Sequence, residues 1–308
     1  MRAKFNETLL SIARKDERIF MILADIGYGE IEGFANAFPD RYFNVGVAEQ
    51  NMTGVACGVA MEGNIAVTYS IANFPTLRCL EQIRNDVCYH RANVKIVIIG
   101  GGLAYGALGV SHHSTEDLAI MRSLPDMVVV APADLKEAEA ATHAMIAHDG
   151  PVYFRCGYKK EPDLHEDPID FTFGKAIQVR DGKDVTLIGT GTITYHAHLA
   201  AQLLEKSGID ARVLSMHTVK PIDREAIISA ARETGAIVTV EEHNIMGGLG
   251  GAVAEVLADA GLGVKFKRIA LPDTYVHIVG SHHWLLEKFG FSPESIAAES
   301  KALLGVRS

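Results

Sequence analysis

The sequence has 308 residues, 48% of them hydrophobic and 22% charged, and its 29 Lys and Arg against 38 Asp and Glu give a formal net charge of -9. Such a chain is long enough for two domains with substantial cores. Its acidic balance argues against a broad nucleic-acid footprint, and no apolar run approaches the roughly 18–20 residues that cross a bilayer. The charged, amphipathic N-terminus lacks the apolar stretch and cleavage site of a signal peptide. Cys57, Cys79, Cys88 and Cys156 show no Cys-x-x-Cys spacing and read as buried, reduced thiols. The expectation is a cytoplasmic protein with no membrane and no nucleic-acid partner.

Short apolar runs alternate with amphipathic stretches along the chain. A helix over 4–15 precedes a strand at Phe20–Ala24. Helices over 48–62, 76–90 and 115–123 are separated by strands at Ile65–Tyr69 and Lys95–Ile99. Met127–Ala131 is a further strand, followed by a helix over 134–147. There Asp134 and Glu137 have the spacing of a capping box, in which each side chain satisfies an orphan amide. Val152–Arg155 completes this half. The polar stretch from Lys159 to Pro168, with two prolines and no periodicity, reads as a linker. The alternation resumes with strands at Val185–Ile188, Arg212–Ser215, Ala236–Val240 and Lys267–Leu271. Helices fall over 195–207, 222–234 and 248–260, and a last one starts at Ser292–Pro293. Strands that are apolar throughout, alternating with helices, predict an α/β fold of two domains, each a mostly parallel sheet flanked by helices. The expected bounds are 1–160, a linker over 161–178, and 179–308.

Three segments are candidates for chemistry. In Asn44–Gly54, Glu49 stands in the first turn of a predicted helix between two glycines. It either complements the helix dipole or is the polar end of a buried helix. The Gly-rich stretch from Gly100 follows a strand end, where open α/β folds bind ligands, and leads to His112 and His113. Those histidines suit proton transfer, substrate binding or simple helix capping; no further ligands at suitable spacing make them a metal site. Gly247–Val253 carries a partial dinucleotide fingerprint, for which tight helix–strand packing is the competing reading.

In this order, the segments resemble the C-terminal half of transketolase-like enzymes that use thiamine diphosphate. The resemblance covers nearly the whole chain: Leu23–Ile26, Phe43–Met52, Tyr69–Phe74, Gly109–Arg122, Gly189–Gly191 and Gly247–Glu255. It implies that Glu49 is the catalytic glutamate, hydrogen-bonded to the aminopyrimidine so that the cofactor's carbanion chemistry can begin. It also implies that Phe74 stacks on the pyrimidine, with Ile71 and Leu77 completing an apolar wall and Asp25 and Ile26 near the cofactor. His112 corresponds to the histidine that reaches the reacting carbonyl or hydroxyl, and His113 is its neighbour in the substrate site. Arg155 matches a position that often binds substrate phosphate.

The same resemblance marks what the sequence lacks. No Gly-Asp-Gly…Asn motif for diphosphate and a divalent metal is found. The chain then reads as the C-terminal subunit of a split transketolase. Thiamine diphosphate would lie between subunits, with Mg2+ (or Ca2+) bound through an N-terminal partner in an α2β2 heterotetramer. The reaction would move a two-carbon ketol unit from a ketose to an aldose, with sugars or sugar phosphates as substrates. Ala107-Leu108 stands where sugar-phosphate transketolases usually have an acidic pair. Gly100–Gly102 replaces a family histidine, and Gly29 replaces a serine. These departures point to a specialised donor or acceptor.

Three other readings compete. The beta subunit of a 2-oxo-acid dehydrogenase shares Asn73-Phe74-Pro75 and His112-His113-Ser114, although Glu81–Asn85 and the helix after His113 are closer to transketolases. A non-catalytic scaffold subunit would require neither Glu49 nor His112. A nicotinamide enzyme would rest on the incomplete glycine fingerprint alone.

Overall fold

The computed structural model describes residues 1–158, 161–165 and 168–306. Among the described residues, twelve strands form two sheets. In chain order they are β1 (Ile19–Leu23), β2 (Tyr42–Asn44), β3 (Ile65–Ile71), β4 (Val94–Ile99), β5 (Val128–Val130), β6 (Val152–Cys156), β7 (Ile177–Arg180), β8 (Val185–Gly189), β9 (Ala211–Ser215), β10 (Thr218–Lys220), β11 (Ala236–Asn244) and β12 (Lys265–Leu271).

The first sheet runs β10-β5-β6-β4-β3-β1-β2. Every pairing is parallel except β10 on β5. Both faces of the central strands are buried, which is why β4 is apolar at nearly every position. Alternate side chains feed two cores. Ile22, Ile96 and Ile98 join the helix Glu49–Met61 on one face; Met21, Leu23, Val97 and Ile99 join the helices Arg2–Ala13 and Leu135–Ala147 on the other. The second sheet runs β12-β11-β8-β9-β7, with only β7 antiparallel to its neighbour. Its faces are covered by Thr194–Glu205 and Pro293–Leu304 on one side, and Arg224–Thr234 and Leu249–Asp259 on the other. No helix among the described residues is long and apolar enough to cross a membrane. All four cysteines are free and buried.

The expected capping box forms with a shifted return bond. Asp134 accepts from the Glu137 amide at 2.9 Å, while Glu137 reaches back to the Ala133 amide at 2.6 Å. Asp134 also receives the amides of Leu164 and His165, and Glu137 meets His165 Nε2 at 2.6 Å. One helix start therefore fixes the chain leaving β6. Lys159, Lys160, Glu166 and Asp167 of the expected linker lie outside the described residues, as do Arg307 and Ser308 of the expected second domain. The expected linker ends at 178, whereas β7 already begins at Ile177.

One helix needs correction. The stretch 76–90 is not continuous but splits into Asn73–Thr76, Leu80–Gln82 and a π-helical turn at Ile83–Cys88. The cause lies at Arg78, whose carbonyl accepts from Gln50 Nε2 at 3.0 Å instead of from the next turn. Strands β2 and β10 are three residues each, too short for a period to show.

Candidate active site

From β1 the chain moves outward to β2, then returns to the other side of β1 with β3. Ligands favour the crevice beyond the carboxyl ends of strands at such a reversal. Here it receives the turn after β1, the start of the helix Glu49–Met61, and the loops after β3 and β4.

Glu49 opens its helix and is 4% exposed. Its carboxylate makes no cap bond; it accepts from Arg78 Nη1 at 2.9 Å. The Arg78 guanidinium carbon also lies 4.5 Å from the Phe74 ring centroid. Phe74 in turn meets His112 edge to face, with centroids 5.2 Å apart. The structure thus links Glu49, Phe74 and His112 through a residue that sequence reasoning missed. Its only signal was a lone charge in the otherwise uncharged run from Thr68 to Leu80.

His112 is held from several directions. Ser111 Oγ sits 2.9 Å from its Nδ1, and Tyr105 tilts against its ring at 6.0 Å. The Asn73 side chain donates to the His113 carbonyl and lies 3.4 Å from those of Val110 and Ser111. Asn73 therefore ties the aromatic segment to the histidine loop. His113 turns inward and is buried, with Nε2 at 3.4 Å from the Gly106 carbonyl. Burial holds its pKa below the usual histidine value, which favours the neutral ring.

Asp25 adopts a left-handed backbone (φ 55) that aspartate tolerates. Its carboxylate accepts from Tyr28 at 2.6 Å and Asn44 at 3.2 Å, and these bonds lower its pKa. It binds the ends of β1 and β2 together at the exposed rim. Ile26 and Ile71 are half-buried, and Leu77 is exposed. Tyr28, Val47, Leu77, Leu108 and Val110 give the crevice an apolar, exposed rim.

Arg155 lies beneath the histidine loop, at 7% exposure. Its Nε and Nη2 donate to Asp117 at 2.8 and 3.2 Å, and Nη2 also reaches the carbonyls of Ser114 and Glu242. Burial works against its charge, but Asp117 and Glu242 outweigh it and raise its pKa. Glu242, on β11 of the second sheet, accepts from the Leu103 amide and pairs with His282 at 2.9 Å. The C-terminal domain thereby grips the loop that carries His112. Arg155 also lines an interdomain cavity of about 410 Å³.

The partial dinucleotide fingerprint is spent on packing. Glu241 accepts the amides of Leu249 and Gly250 at 2.6 and 2.8 Å, so a carboxylate already sits where a phosphate would be bound. A Cβ at Gly250 would lie 2.8 Å from Arg268 and 2.9 Å from Thr239.

Residues 1–160 match the transketolase pyrimidine binding domain, and residues 174–296 match the transketolase C-terminal domain. The chain belongs to the transketolase family. It is 40% identical, over 96% of its length and 94% of the relative's, to an apulose-4-phosphate transketolase subunit of Phocaeicola vulgatus. Identity is also 40% to the 6-deoxy-6-sulfo-D-fructose transketolase subunit SqwH of a Clostridium species, over 96% of this chain and 92% of that one. A solved split-gene transketolase, described as an inactive beta4 tetramer, superposes with a TM-score of 0.89 at 38% identity, covering 100% of this chain and 98% of the other. These full-length matches are to separate subunits, so the chain is the C-terminal subunit of a split transketolase, a transferase that works with a partner subunit. None of the three is a 2-oxo-acid dehydrogenase or a nicotinamide enzyme.

Proposed function

We propose that this subunit supplies the aminopyrimidine side of a thiamine diphosphate site. The residues present fit that half of the cofactor: a buried carboxylate at a helix start, an aromatic ring and a histidine converge at the crevice. Among the described residues, no group of three or more His, Cys, Asp or Glu is placed to hold a metal ion. We therefore assign the diphosphate and Mg2+ (or Ca2+) to an N-terminal subunit, in a cytoplasmic α2β2 heterotetramer whose partner covers the apolar rim.

When bound, the cofactor supplies an electron sink for carbon–carbon cleavage. Glu49 holds a proton at its carboxylate for the pyrimidine ring, and Phe74 and Ile71 exclude water. Ser111 engages His112 Nδ1, which leaves Nε2 for the carbonyl or hydroxyl of the substrate. Arg155 Nε and Nη2 hold Asp117 and support the loop from below.

The relatives' names carry ketoses that end in an anionic group, a phosphate in one and a sulfonate in the other. They support a two-carbon ketol transfer from an anionic ketose to an aldose. The buried Glu49 carboxylate beside Phe74 and His112 carries the reading. Its test is thiamine diphosphate binding with Mg2+, by this subunit alone and then with its partner. Binding in the mixture only, with ketol transfer lost in Glu49→Ala, is expected. Tight binding by the subunit alone, or a fully active Glu49→Ala enzyme, would sink it.

A further inference from the structure

The Glu49–Arg78 pair is unusual in its asymmetry. The Glu49 side chain is 5% exposed, whereas that of Arg78 is 52% exposed. A carboxylate buried that deeply is costly without a partner, and Arg78 is the partner it has. The guanidinium also lies against Phe74, at 4.5 Å. Arg78 therefore occupies both places that the site offers an aminopyrimidine: a hydrogen bond to Glu49 and overlap with the aromatic ring. A planar guanidinium, with its row of N–H donors, resembles the nitrogen-bearing edge of an aminopyrimidine.

We propose that Arg78 is a resident stand-in for the aminopyrimidine, occupying the Glu49 carboxylate and the Phe74 face in the unloaded subunit and giving way when the cofactor arrives. It is a positioning residue acting through Glu49. Gln50 anchors its carbonyl, so the exchange needs only the exposed side chain to swing while the backbone stays fixed. The inference rests on the proposed function, since it takes Glu49 to be the group the cofactor meets.

The test is thiamine diphosphate affinity, with Mg2+, in the complex with the partner subunit. Arg78→Gln should bind about tenfold more tightly, the size of one partly exposed charge pair, and Arg78→Lys should stay near wild type. Unchanged or weaker binding by Arg78→Gln, or equal tightening by Arg78→Lys, overturns it. Glu49→Ala in the same complex separates the two levels: if it retains full turnover, the underlying reading of Glu49 has failed, whatever Arg78 does.

Discussion

Replacing Asp117 by Ala would remove the carboxylate that Arg155 hydrogen-bonds beneath the histidine loop, leaving only the charge of Glu242 to offset the guanidinium. Asp117 is 2% exposed and accepts from Arg155 Nε at 2.8 Å, Arg155 Nη2 at 3.2 Å and the Tyr153 hydroxyl at 2.9 Å. The variant leaves the guanidinium buried, and breaking one side of a buried ion pair costs about 3–5 kcal/mol. Loss of the bond to the Tyr153 hydroxyl, which keeps Thr76 as a neighbour, adds about 1 kcal/mol. The bonds from Arg155 to the Ser114 and Glu242 carbonyls remain and offset part of this, so a net loss of about 4 kcal/mol is expected. That is a large share of the 5–15 kcal/mol typical of a folded domain. Urea unfolding of the isolated subunit would measure it. The pair Asp117→Leu with Arg155→Met removes both charges and should recover most of the loss. A cost below about 1 kcal/mol for Asp117→Ala, or a double variant no better than the single one, would refute the argument.

Gly102→Ala should lower both stability and turnover of the assembled enzyme, because φ is +65 and a Cβ would lie 2.6 Å from Glu242 Cδ. Gly208→Ala is the control: its φ is +76 with nothing near the added carbon, so it should cost only about 1–2 kcal/mol of left-handed strain. His165 has a folded pKa above its unfolded value: burial opposes its charge, but the hydrogen bond and charge of Glu137 outweigh that. Its contribution is fully present below the unfolded pKa of about 6.5 and is lost as pH rises through the raised folded value. The stability difference between wild type and His165→Gln should therefore shrink as pH rises from 6 to 9; a difference that grows would contradict the sign. Burial pushes Lys95 down to about 7, with its ammonium donating to the His148 and Gly150 carbonyls. The unfolded chain then binds the extra proton above pH 7, so wild type should lose stability from pH 7 down toward 10-fold higher acidity less than it loses from pH 10 down to 7, relative to Lys95→Met. Sign and window follow from the lowered folded value: between about 7 and the unfolded 10.4 the native state binds fewer protons, and stability rises with pH across that span. Parallel slopes for the two proteins would show that the lysine is not so shifted.

The alternation of apolar runs and amphipathic stretches determined the α/β class and the mostly parallel sheets, because strands covered on both faces must be apolar at successive positions. Glu49, Phe74 and His112 could be named from linear motifs and their family resemblance: Glu49 opens a helix, Phe74 follows the end of β3, and His112 lies in a turn of the glycine-rich loop after β4. The tertiary structure decided what those residues touch. Arg78 meets Glu49 only because the chain breaks helix at 77–79 and turns back across the crevice, and no local period encodes that turn. Asn73 clamps a loop 40 residues away. Arg155 carries a family expectation of phosphate binding; the packing gives its Nε and Nη2 to Asp117, the Ser114 carbonyl and the carbonyl of Glu242 in the other domain, 87 residues on. Strand β10 left no sequence signal because it adds only three residues, antiparallel, to the edge of the first sheet. Sequence pattern reports which face of an element seeks burial; which distant charge or carbonyl satisfies a buried polar group depends on how the elements pack, and that information exists only in three dimensions.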